Sequence, residues 1–534
     1  MAAISTVRPC IPTVASWSMP DRPGRGRWPT APVIYEIYPR SFRDTTGSGE
    51  GDLNGITSGL DYIASLGVDA VWIAPFFLTG FEDGGYDVID HRVVDPRFGT
   101  LADFDRLVER AHDLGLLVIV DQVLNHSSDQ HELFLRSIQG NESCAAAYVW
   151  RDAKPDGTAP NNWLSFFGPP AWTWNHKRQQ YYLHQYLPSQ PSFNLRNADV
   201  QAKHRDEMRF WLNRGVDGFR LDAVSAYLFD ERLPDNPPAR PETRHRMAAA
   251  ENNPYSMQNH VYDLLPGDGA SYAQLLRDWA GQDVWLLGEI NTGNNSVEVA
   301  RDFVCPEGLD AAYVVDLPES DGSVATVVDM MDRGAGDGAI AWWMTSHDQP
   351  RRAAATPGTA RFYLLLQAIL PGPMMVYQGE ELALPRVELS RDEVADPFDL
   401  MYWPDGPGRE EARIPIPWTE TPPRYGFTYG TPWLPMRWPE GVSVAAGGRD
   451  GVLSFFRAVI GFRKEHGFGA HRVSWKEPKP GQLELFLTTG SGDWLARFNQ
   501  SDRHMPAPEA PPNLCSHALT PLGLPPGGGA IWRR

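Results

Sequence analysis

Residues 218–224 read Gly-Phe-Arg-Leu-Asp-Ala-Val, and this stretch guides the interpretation of the whole chain. Its first four residues are typical of a buried strand, and Asp222 follows where that strand would end in a loop. In a (β/α)8 barrel, the carboxyl ends of the strands form the rim that carries reactive groups. Arg220 lies on the same strand face as Asp222 and would keep Asp222 ionised, as a nucleophile requires. An isolated Arg-x-Asp pair is more often a structural ion pair, so the rest of the sequence has to show whether Asp222 is catalytic.

Strand-like and helix-like segments alternate along most of the chain. Eight short apolar segments are predicted to be strands, at 33–38, 70–74, 116–121, 218–221, 284–288, 312–317, 340–344 and 374–377. Segments with helical periodicity lie between them, for example at 101–114 and 199–214. This alternation predicts the α/β class and a parallel (β/α)8 TIM barrel.

The predicted barrel is interrupted once and followed by a second domain. The predicted parts are a disordered N-terminal extension (1–27), the first part of the catalytic barrel (28–124), an inserted subdomain after strand 3 (125–199), the second part of the barrel (200–467) and a C-terminal β-sandwich domain (468–534). A long loop rich in Pro and Trp, at 384–447, is expected to carry function because loops of that length seldom occur without one.

Composition limits the classes of partner. The 534 residues include 42% hydrophobic and 22% charged residues, which is typical of a globular protein. The net charge of -19 argues against nucleic acid and membrane surfaces as partners. The four cysteines, Cys10, Cys144, Cys305 and Cys515, are widely spaced and are interpreted as free thiols, so a cytoplasmic location is expected. An uncharged ligand such as a small sugar would not be repelled.

Acidic residues follow four of the predicted strands. Asp121, Asp222, Glu289 and Asp348 each lie at or just after a strand end. On one rim, like charges raise the pKa of at least one carboxyl group. One ionised and one protonated carboxyl group are what cleavage of a glycosidic bond requires. Asp222, beside Arg220, fits the nucleophile, and Glu289 fits the acid/base.

Motifs spread along the chain carry a family resemblance. They are Val-Ile-Tyr-Glu-Ile-Tyr-Pro-Arg-Ser-Phe at 33–42, Gly-Asp-Leu-Asn-Gly-Ile at 51–56, Gly-Tyr-Asp at 85–87, Asp-Pro-Arg-Phe-Gly-Thr at 95–100, Asp-x-x-x-Asn-His at 121–126, the stretch at 218–224, Glu289, His347 with Asp348, and Arg-Ile-Pro-Ile-Pro-Trp at 413–418. From residue 28 to the last helix, the chain resembles glycoside hydrolase family 13, the α-amylase family. Within that family it is similar to the exo-acting α-glucosidases and oligo-1,6-glucosidases.

The resemblance implies a role for individual residues. Asp222 would be the nucleophile, Glu289 the acid/base, and Asp348 a group that binds sugar hydroxyls and favours the distorted transition state. The substrate-binding residues that it implies are Tyr86, Asp87, His126, Arg220, Ala223, His347 and Arg413.

The same resemblance implies a pocket that is closed at one end. His126 and His347 would hydrogen-bond to the bound glucose, and Asp87 would pair with Arg413 behind its non-reducing end. A closed pocket admits one terminal glucose, so the enzyme would be exo-acting.

The sequence departs from the family pattern at positions linked to ion binding. Ser192 stands where an α-amylase would use an acid for its calcium ion. In the loop after the first strand, Asp44 and Asp52 remain as candidate metal ligands, but Thr46 and Ser48 replace the usual Asn or Asp. Too few carboxylates remain for tight binding, so no cofactor is expected to be required and the loop would hold Ca²⁺ or Mg²⁺ weakly at most.

The residue after the nucleophile bears on linkage. In relatives, valine there accompanies α-1,6 cleavage, whereas threonine or alanine more often accompanies α-1,4 cleavage, so Ala223 predicts an α-1,4 preference. The sequence thus predicts a retaining exo-α-glucosidase that releases terminal glucose from short α-glucosides through a covalent glucosyl-enzyme. The alternatives are an α-transglucosylase or a sucrose-cleaving relative with the same acids. A more remote alternative is a non-catalytic barrel that serves as a partner protein.

Overall fold

The computed structural model describes residues 27–241, 244, 252–320, 322–351 and 356–534. Apart from Arg27, the predicted N-terminal extension lies outside the described residues. No helix within these ranges is long and apolar enough to cross a membrane.

The strands found in these ranges are β1 (Val33–Ile37), β2 (Ala70–Ile73), β3 (Phe77–Thr79), β4 (Val88–Val94), β5 (Leu117–Gln122), β6 (Trp150–Arg151), β7 (Trp172–Asn175), β8 (Gln180–Leu183), β9 (Gly218–Leu221), β10 (Trp285–Ile290), β11 (Ala311–Val314), β12 (Met374–Tyr377), β13 (Arg472–Lys476), β14 (Gln482–Thr489), β15 (Gly492–Asn499), β16 (Leu514–Cys515) and β17 (Gly528–Arg533). The α-helices are α1 (Leu53–Ser65), α2 (Leu101–Asp113), α3 (Glu132–Ile138), α4 (Glu142–Ala145), α5 (Ala198–Leu212), α6 (Pro266–Ala280), α7 (Ser296–Phe303), α8 (Val324–Asp332), α9 (Pro357–Ile369), α10 (Pro397–Met401), α11 (Arg409–Ala412) and α12 (Val452–His466).

Seven parallel strands form one sheet in the order β11-β10-β9-β5-β2-β1-β12. Between its two edges runs the segment 340–342, which joins each edge strand by an isolated bridge instead of a ladder. Ala341 N donates to Ala312 O (2.8 Å), and Met375 N donates to Trp342 O (2.8 Å). The sheet therefore closes into the predicted (β/α)8 TIM barrel, and the strand predicted at 340–344 is its least regular member.

Burial explains why the barrel strands are so apolar. Every residue of β1, β2, β5, β9, β11 and β12 is buried. A parallel sheet is covered on both faces, which favours continuous runs of apolar residues rather than alternation. The helices around it begin at side-chain caps that the sequence shows clearly, such as Thr100, which with Asp103 forms a capping box at the start of α2.

Two antiparallel units extend from the rim of the barrel. The hairpin β3–β4 was not predicted, and its connecting loop, 80–87, reaches the pocket described below. Between β5 and α5 lies the sheet β6-β8-β7, where the Phe134 ring packs against Trp150 (5.5 Å) and Tyr182 (5.1 Å). The helices α3 and α4 in this part, 7 and 4 residues long, are too short to show a helical period in the sequence.

The C-terminal part is built on one five-stranded antiparallel sheet, β13-β14-β15-β17-β16. The predicted sandwich has no second regular sheet among the described residues. Instead, the loops that carry Met505 and Leu524 bond to each other and pack on Ala530 and Trp532 of β17. The prolines in these loops cannot donate to a ladder, which accounts for the missing second sheet.

Candidate active site

Arg220 bonds to three carboxyl groups inside the rim of the barrel. Its Nη1 donates to Asp121 Oδ1 (2.9 Å) and to Asp222 Oδ1 (2.7 Å), and its Nη2 donates to Glu289 Oε2 (2.5 Å). Arg220 is 1% exposed. The predicted candidates Asp222 and Glu289 are therefore neighbours, joined by one guanidinium.

The register of the parallel strands produces this arrangement. Arg220 on β9 lies opposite Asp121 on β5 and opposite Leu287 on β10. Side chains two residues apart on a strand point the same way, so Asp222 follows Arg220 and Glu289 follows Leu287 on one face. Three strand ends thus converge on one point of the rim.

The ionisation of Asp222 differs from the simple picture drawn from the sequence. Burial raises the pKa of Asp222 well above its ordinary value, and Glu289 and Asp121 raise it further, whereas Arg220 opposes them. The prediction that Arg220 keeps Asp222 ionised is incomplete, because the guanidinium is shared among three carboxyl groups. Such a cluster retains a proton more readily than an isolated carboxylate does.

Asp348 lies beside two arginines. Its Oδ1 accepts from Arg409 Nε (2.9 Å) and from Arg413 Nη2 (2.7 Å). Burial alone would raise the pKa of Asp348, but Arg409, His347 and Arg413 outweigh it and hold the pKa well below its ordinary value. Asp348 is therefore ionised throughout the physiological range, unlike the cluster around Arg220.

The predicted pair of Asp87 with Arg413 is wrong. Asp87 is fully buried, and its Oδ1 accepts from Thr79 Oγ1 (2.8 Å) and from Asp83 N (3.2 Å). Arg413 instead bonds to Asp348 and to Asp396 Oδ2 (3.0 Å). Because Asp87 lacks a cation, burial raises its pKa to about 6.

The pair that closes this end of the pocket is Asp83 with Arg409, at 3.0 Å. Each partner lies four residues before the residue that the sequence suggested. Gly84 and Gly85 have positive φ values (59° and 113°), and the turn they make directs Asp83 into the pocket. Two features of the sequence could have indicated this pair. They are the Glu-Asp-Gly-Gly turn before Tyr86 and the arginine at the start of α11, Arg409.

The two predicted histidines also lie at the pocket. His347 Nδ1 lies 2.6 Å from Glu36 Oε1, and its ring stacks with Tyr86 (5.3 Å, 7°). His347 Nε2 faces Asp348, with 3.3 Å between Nε2 and Asp348 Oδ2. His126 Nε2 lies 3.2 Å from Tyr86 O, and burial lowers the pKa of His126 to about 3, so its ring is neutral.

The pocket has two contrasting sides. Its charged end consists of Asp83, Asp348, Asp396, Arg409 and Arg413, some lining it and some lying behind. Its aromatic wall consists of Phe166, Phe167, Tyr186, Tyr255 and Phe398, all of which line it. The aromatic wall was not predicted residue by residue, since the segments that supply it carry no recognisable motif.

The predicted site residues divide between the lining and the layer behind it. Those that line the pocket are Tyr86, His126, Asp222, Ala223, Glu289, His347 and Asp348. Those that do not are Asp87, Arg220 and Arg413. Arg220 and Arg413 act on the pocket through the carboxylates they hold.

Ala223 has an unusual backbone conformation. Its φ of 47° and ψ of 38° are left-handed, and its N–H donates to Glu289 Oε2 (3.1 Å). A β-branched residue is strained in this region, whereas glycine is not. Ala223 therefore couples the turn after Asp222 to the position of Glu289.

The loop of Asp44 and Asp52 is stabilised by hydrogen-bond donors. Asp44 Oδ1 accepts from Thr46 N (2.8 Å) and Gly47 N (2.9 Å), and its Oδ2 accepts from Gly49 N (2.8 Å). Asp52 caps α1 by accepting from Gly55 N (2.7 Å). These donors compete directly with a cation for the carboxylate oxygens, so the residues present fit a resident metal ion poorly.

Comparison with known proteins agrees with this geometry. Residues 36–470 match the model of the alpha amylase catalytic domain. The chain is 40% identical over 509 residues to a “Probable alpha-glucosidase” of Rhizobium meliloti. The alignment covers 92% of this chain and 92% of that relative. It is similar to the solved structure of an alpha-glucosyl transfer enzyme, with a TM-score of 0.87, 38% identity, and coverage of 95% of this chain and 99% of the other. An isomaltulose synthase variant from Erwinia rhapontici, solved with its natural substrate sucrose, is similar with a TM-score of 0.83, 26% identity, and coverage of 96% and 99%.

Proposed function

The chain belongs to the alpha-amylase catalytic-domain family of glycoside hydrolases, and we propose that it is a retaining exo-α-glucosidase that releases terminal glucose from short α-glucosides. The observation that carries this proposal is the guanidinium of Arg220, which bonds to both Asp222 and Glu289. Retaining enzymes have their two carboxyl groups only ~5–5.5 Å apart, against ~6.5–9.5 Å in inverting enzymes. Because one guanidinium bonds to both Asp222 and Glu289, we expect their carboxyl groups to have the shorter separation, that of retaining enzymes.

In the proposed first step, the proton that the cluster retains resides on Glu289, and the carboxylate of Asp222, bonded to Arg220, attacks the anomeric carbon of the terminal glucose. Glu289 donates its proton to the glycosidic oxygen as the bond to the leaving group breaks, and a glucosyl ester forms on Asp222. In the second step, Glu289 removes a proton from water, the water oxygen attacks the same carbon, and the carboxylate of Asp222 leaves. Two inversions give a product with the α configuration.

The charged end supports exo action. Asp83 and Arg409 meet behind the position of the glucose, and Asp348 is held there by Arg409 and Arg413. A network of charged hydrogen bonds discriminates strongly among hydroxyl arrangements, because a misplaced partner leaves buried polar groups unpaired. The proposed role of this end is to hold one non-reducing glucose and to exclude longer chains beyond it.

We also propose that α-1,4 linkages are preferred, on the basis of Ala223. Its small side chain lines the pocket directly after Asp222. The proposed test is Ala223→Gly, because glycine accepts the left-handed backbone without strain while Ala223→Val does not. The ratio of kcat/KM for maltose to that for isomaltose should stay above one in Ala223→Gly and narrow in Ala223→Val.

Transfer to a hydroxyl other than water is the second candidate activity. The similarity to an alpha-glucosyl transfer enzyme favours it, as does the aromatic wall, which could hold an acceptor next to the glucosyl ester. One experiment separates the candidates: incubate the protein with maltose, isomaltose, sucrose and an aryl α-glucoside, and analyse glucose and longer saccharides together. Glucose release from maltose supports the glucosidase, predominant formation of longer products supports the transferase, and no turnover of any substrate would contradict both.

A further inference from the structure

The aromatic wall rests on a buried histidine–aspartate pair, His260 and Asp263, that bond cleavage itself does not use. Tyr255, which lines the pocket, stacks on the ring of His260 with the ring centroids 3.6 Å apart and an angle of 18° between the planes. On another side, Tyr255 makes an edge contact with Phe166 (5.4 Å). His260 is only 7% exposed, so the stack is part of the interior.

Both nitrogens of His260 face acceptors. Nδ1 lies 2.6 Å from Asp263 Oδ2, and Nε2 lies 2.8 Å from the carbonyl oxygen of Tyr255. A carbonyl oxygen cannot donate, and an ionised carboxylate cannot donate either, so the ring makes both bonds only when it carries both of its protons. The same imidazole thus contacts Tyr255 twice, through its ring and through the backbone.

Asp263 connects this pair to a second part of the wall. Its Oδ1 accepts from Asn236 Nδ2 (2.8 Å), and its backbone oxygen accepts from Gln185 Nε2 (3.0 Å). Gln185 Nε2 also donates to the carbonyl oxygen of Ala226, four residues after Asp222. The pair is therefore linked to the inserted sheet and to the turn that follows the proposed nucleophile.

The wall that these residues support lies beside the acids. Tyr186, adjacent to Gln185, is half-buried; desolvation raises its pKa, and the charges of Asp222 and Glu289 raise it further. Asp222 and Glu289 line the same pocket as the aromatic wall, so a leaving group or acceptor next to these acids would lie against the wall.

We propose that His260 and Asp263 are positioning residues that hold Tyr255 and Gln185 in place for the aglycone, so that they set the affinity for the second sugar or acceptor and not the rate of bond cleavage. This inference rests on the proposed glucosidase function. Besides Asp263 and Tyr255, one further titratable group lies on this side of the fold. Asp268, at the start of α6, lines the same cleft as His260 and pairs with Arg196 (3.6 Å).

The test compares two substrates with different leaving groups. Maltose places a second glucose against the wall, whereas α-glucosyl fluoride has a leaving group too small to touch it. In His260→Ala, KM for maltose should rise about tenfold or more, the scale of losing one well-placed apolar contact. The kcat/KM for α-glucosyl fluoride should stay within about twofold of the unchanged protein, since it depends on the charged end and the acids.

Two further measurements guard against a merely structural effect. His260→Gln, which retains one donor, should recover part of the maltose affinity, and His471→Ala removes a similarly buried histidine of the C-terminal part and should leave both substrates unchanged.

The outcomes separate this inference from the proposed function. Equal losses on both substrates in His260→Ala and His260→Gln, or no change on either, would overturn the positioning role. If the unsubstituted protein turns over neither substrate, the proposed function itself fails.

Discussion

The charged end and the aromatic wall are built from different interactions, although they line one pocket and meet where Arg409 lies over the Phe167 ring (5.9 Å). At the charged end, three aspartates and two arginines from distant parts of the chain form a continuous network of ion pairs. In the aromatic wall, edge and tilted ring contacts dominate, for example Phe167 on Phe398 (4.7 Å). Polar networks reject a wrong hydroxyl strongly, whereas apolar contacts discriminate by only ~1–3 kcal/mol per methylene.

This difference explains how one pocket can select a single bound sugar and still accept different leaving groups. The charged end requires one sugar in one orientation. The aromatic wall tolerates a range of leaving groups and acceptors, provided that they present an apolar face. Substitutions at the two ends should therefore produce different patterns across a panel of substrates, and the predictions below use that contrast.

The largest effect on activity is expected for the two proposed catalytic acids, Asp222 and Glu289. Asp222→Ala should lower kcat on every substrate by on the order of 10⁴-fold or more, because the covalent intermediate cannot form. Glu289→Gln should be as severe on maltose but milder on aryl α-glucosides, whose leaving groups need little protonation. Steady-state kinetics with both substrates check this, and activity of Asp222→Ala within tenfold of the unchanged protein would refute the assignment.

At the charged end, Asp83→Asn should lower kcat/KM on all substrates alike. The reason is that Arg409 would lose its charged partner beside the bound sugar, and a buried polar group left unpaired weakens binding of the transition state, by on the order of 10²-fold or more. Asp87→Asn is the comparison variant, because Asp87 is buried nearby but lies outside the lining; it bonds to Thr79 and to the backbone N–H of Asp83, so its loss should be smaller than that of Asp83→Asn. A larger loss in Asp87→Asn than in Asp83→Asn would restore the pairing predicted from the sequence.

A third region, remote from both ends, contributes to the response to acid. His91, His131 and His204 are buried where β4, α3 and α5 meet, and burial lowers the pKa values of His91 and His131 to about 3 and that of His204 well below its ordinary value. Unfolded histidine has a pKa of about 6.5, so below that pH the unfolded chain binds more protons than the native one. Stability is therefore present above pH ~6.5 and is lost as the pH falls towards 3.

The expected size of this acid effect is about 1.4 kcal/mol per pH unit for each of these histidines. Melting temperatures measured from pH 7 to pH 4 should fall steadily, and His204→Gln should make the fall shallower. His176, which is exposed, provides the control variant His176→Gln, for which the slope should not change. A slope that His204→Gln leaves unaltered would show that these rings are not the titrating groups.

The smallest effect is expected from chelation. The carboxylates of Asp44 and Asp52 accept bonds from backbone N–H groups, and Thr428 donates to Asp44 as well. We therefore propose that dialysis against a chelator changes neither activity nor melting temperature. Loss of most activity that calcium restores would contradict this, and would indicate that the loop rearranges around an ion.

The sequence was most informative where a pattern repeats or a motif is long. Because the barrel strands are buried on both faces, they appear in the sequence as apolar runs. Because acids at the ends of parallel strands converge on one rim, Asp222 and Glu289 could be identified as candidate catalytic residues from the sequence. The pairing of Asp87 with Arg413 failed because spacing along the chain does not show which of two nearby aspartates a glycine turn directs inward. The aromatic wall and the His260–Asp263 pair were missed for a related reason. They come from irregular segments whose meeting in space depends on tertiary packing alone.

The configuration of the first product tests the central claim most directly. Proton NMR of maltose hydrolysis, recorded before mutarotation equilibrates the anomers, reports which anomer the enzyme releases from the non-reducing end. A double displacement through Asp222 predicts α-glucose as the initial product. Initial β-glucose would contradict the retaining mechanism and the proposed roles of Asp222 and Glu289.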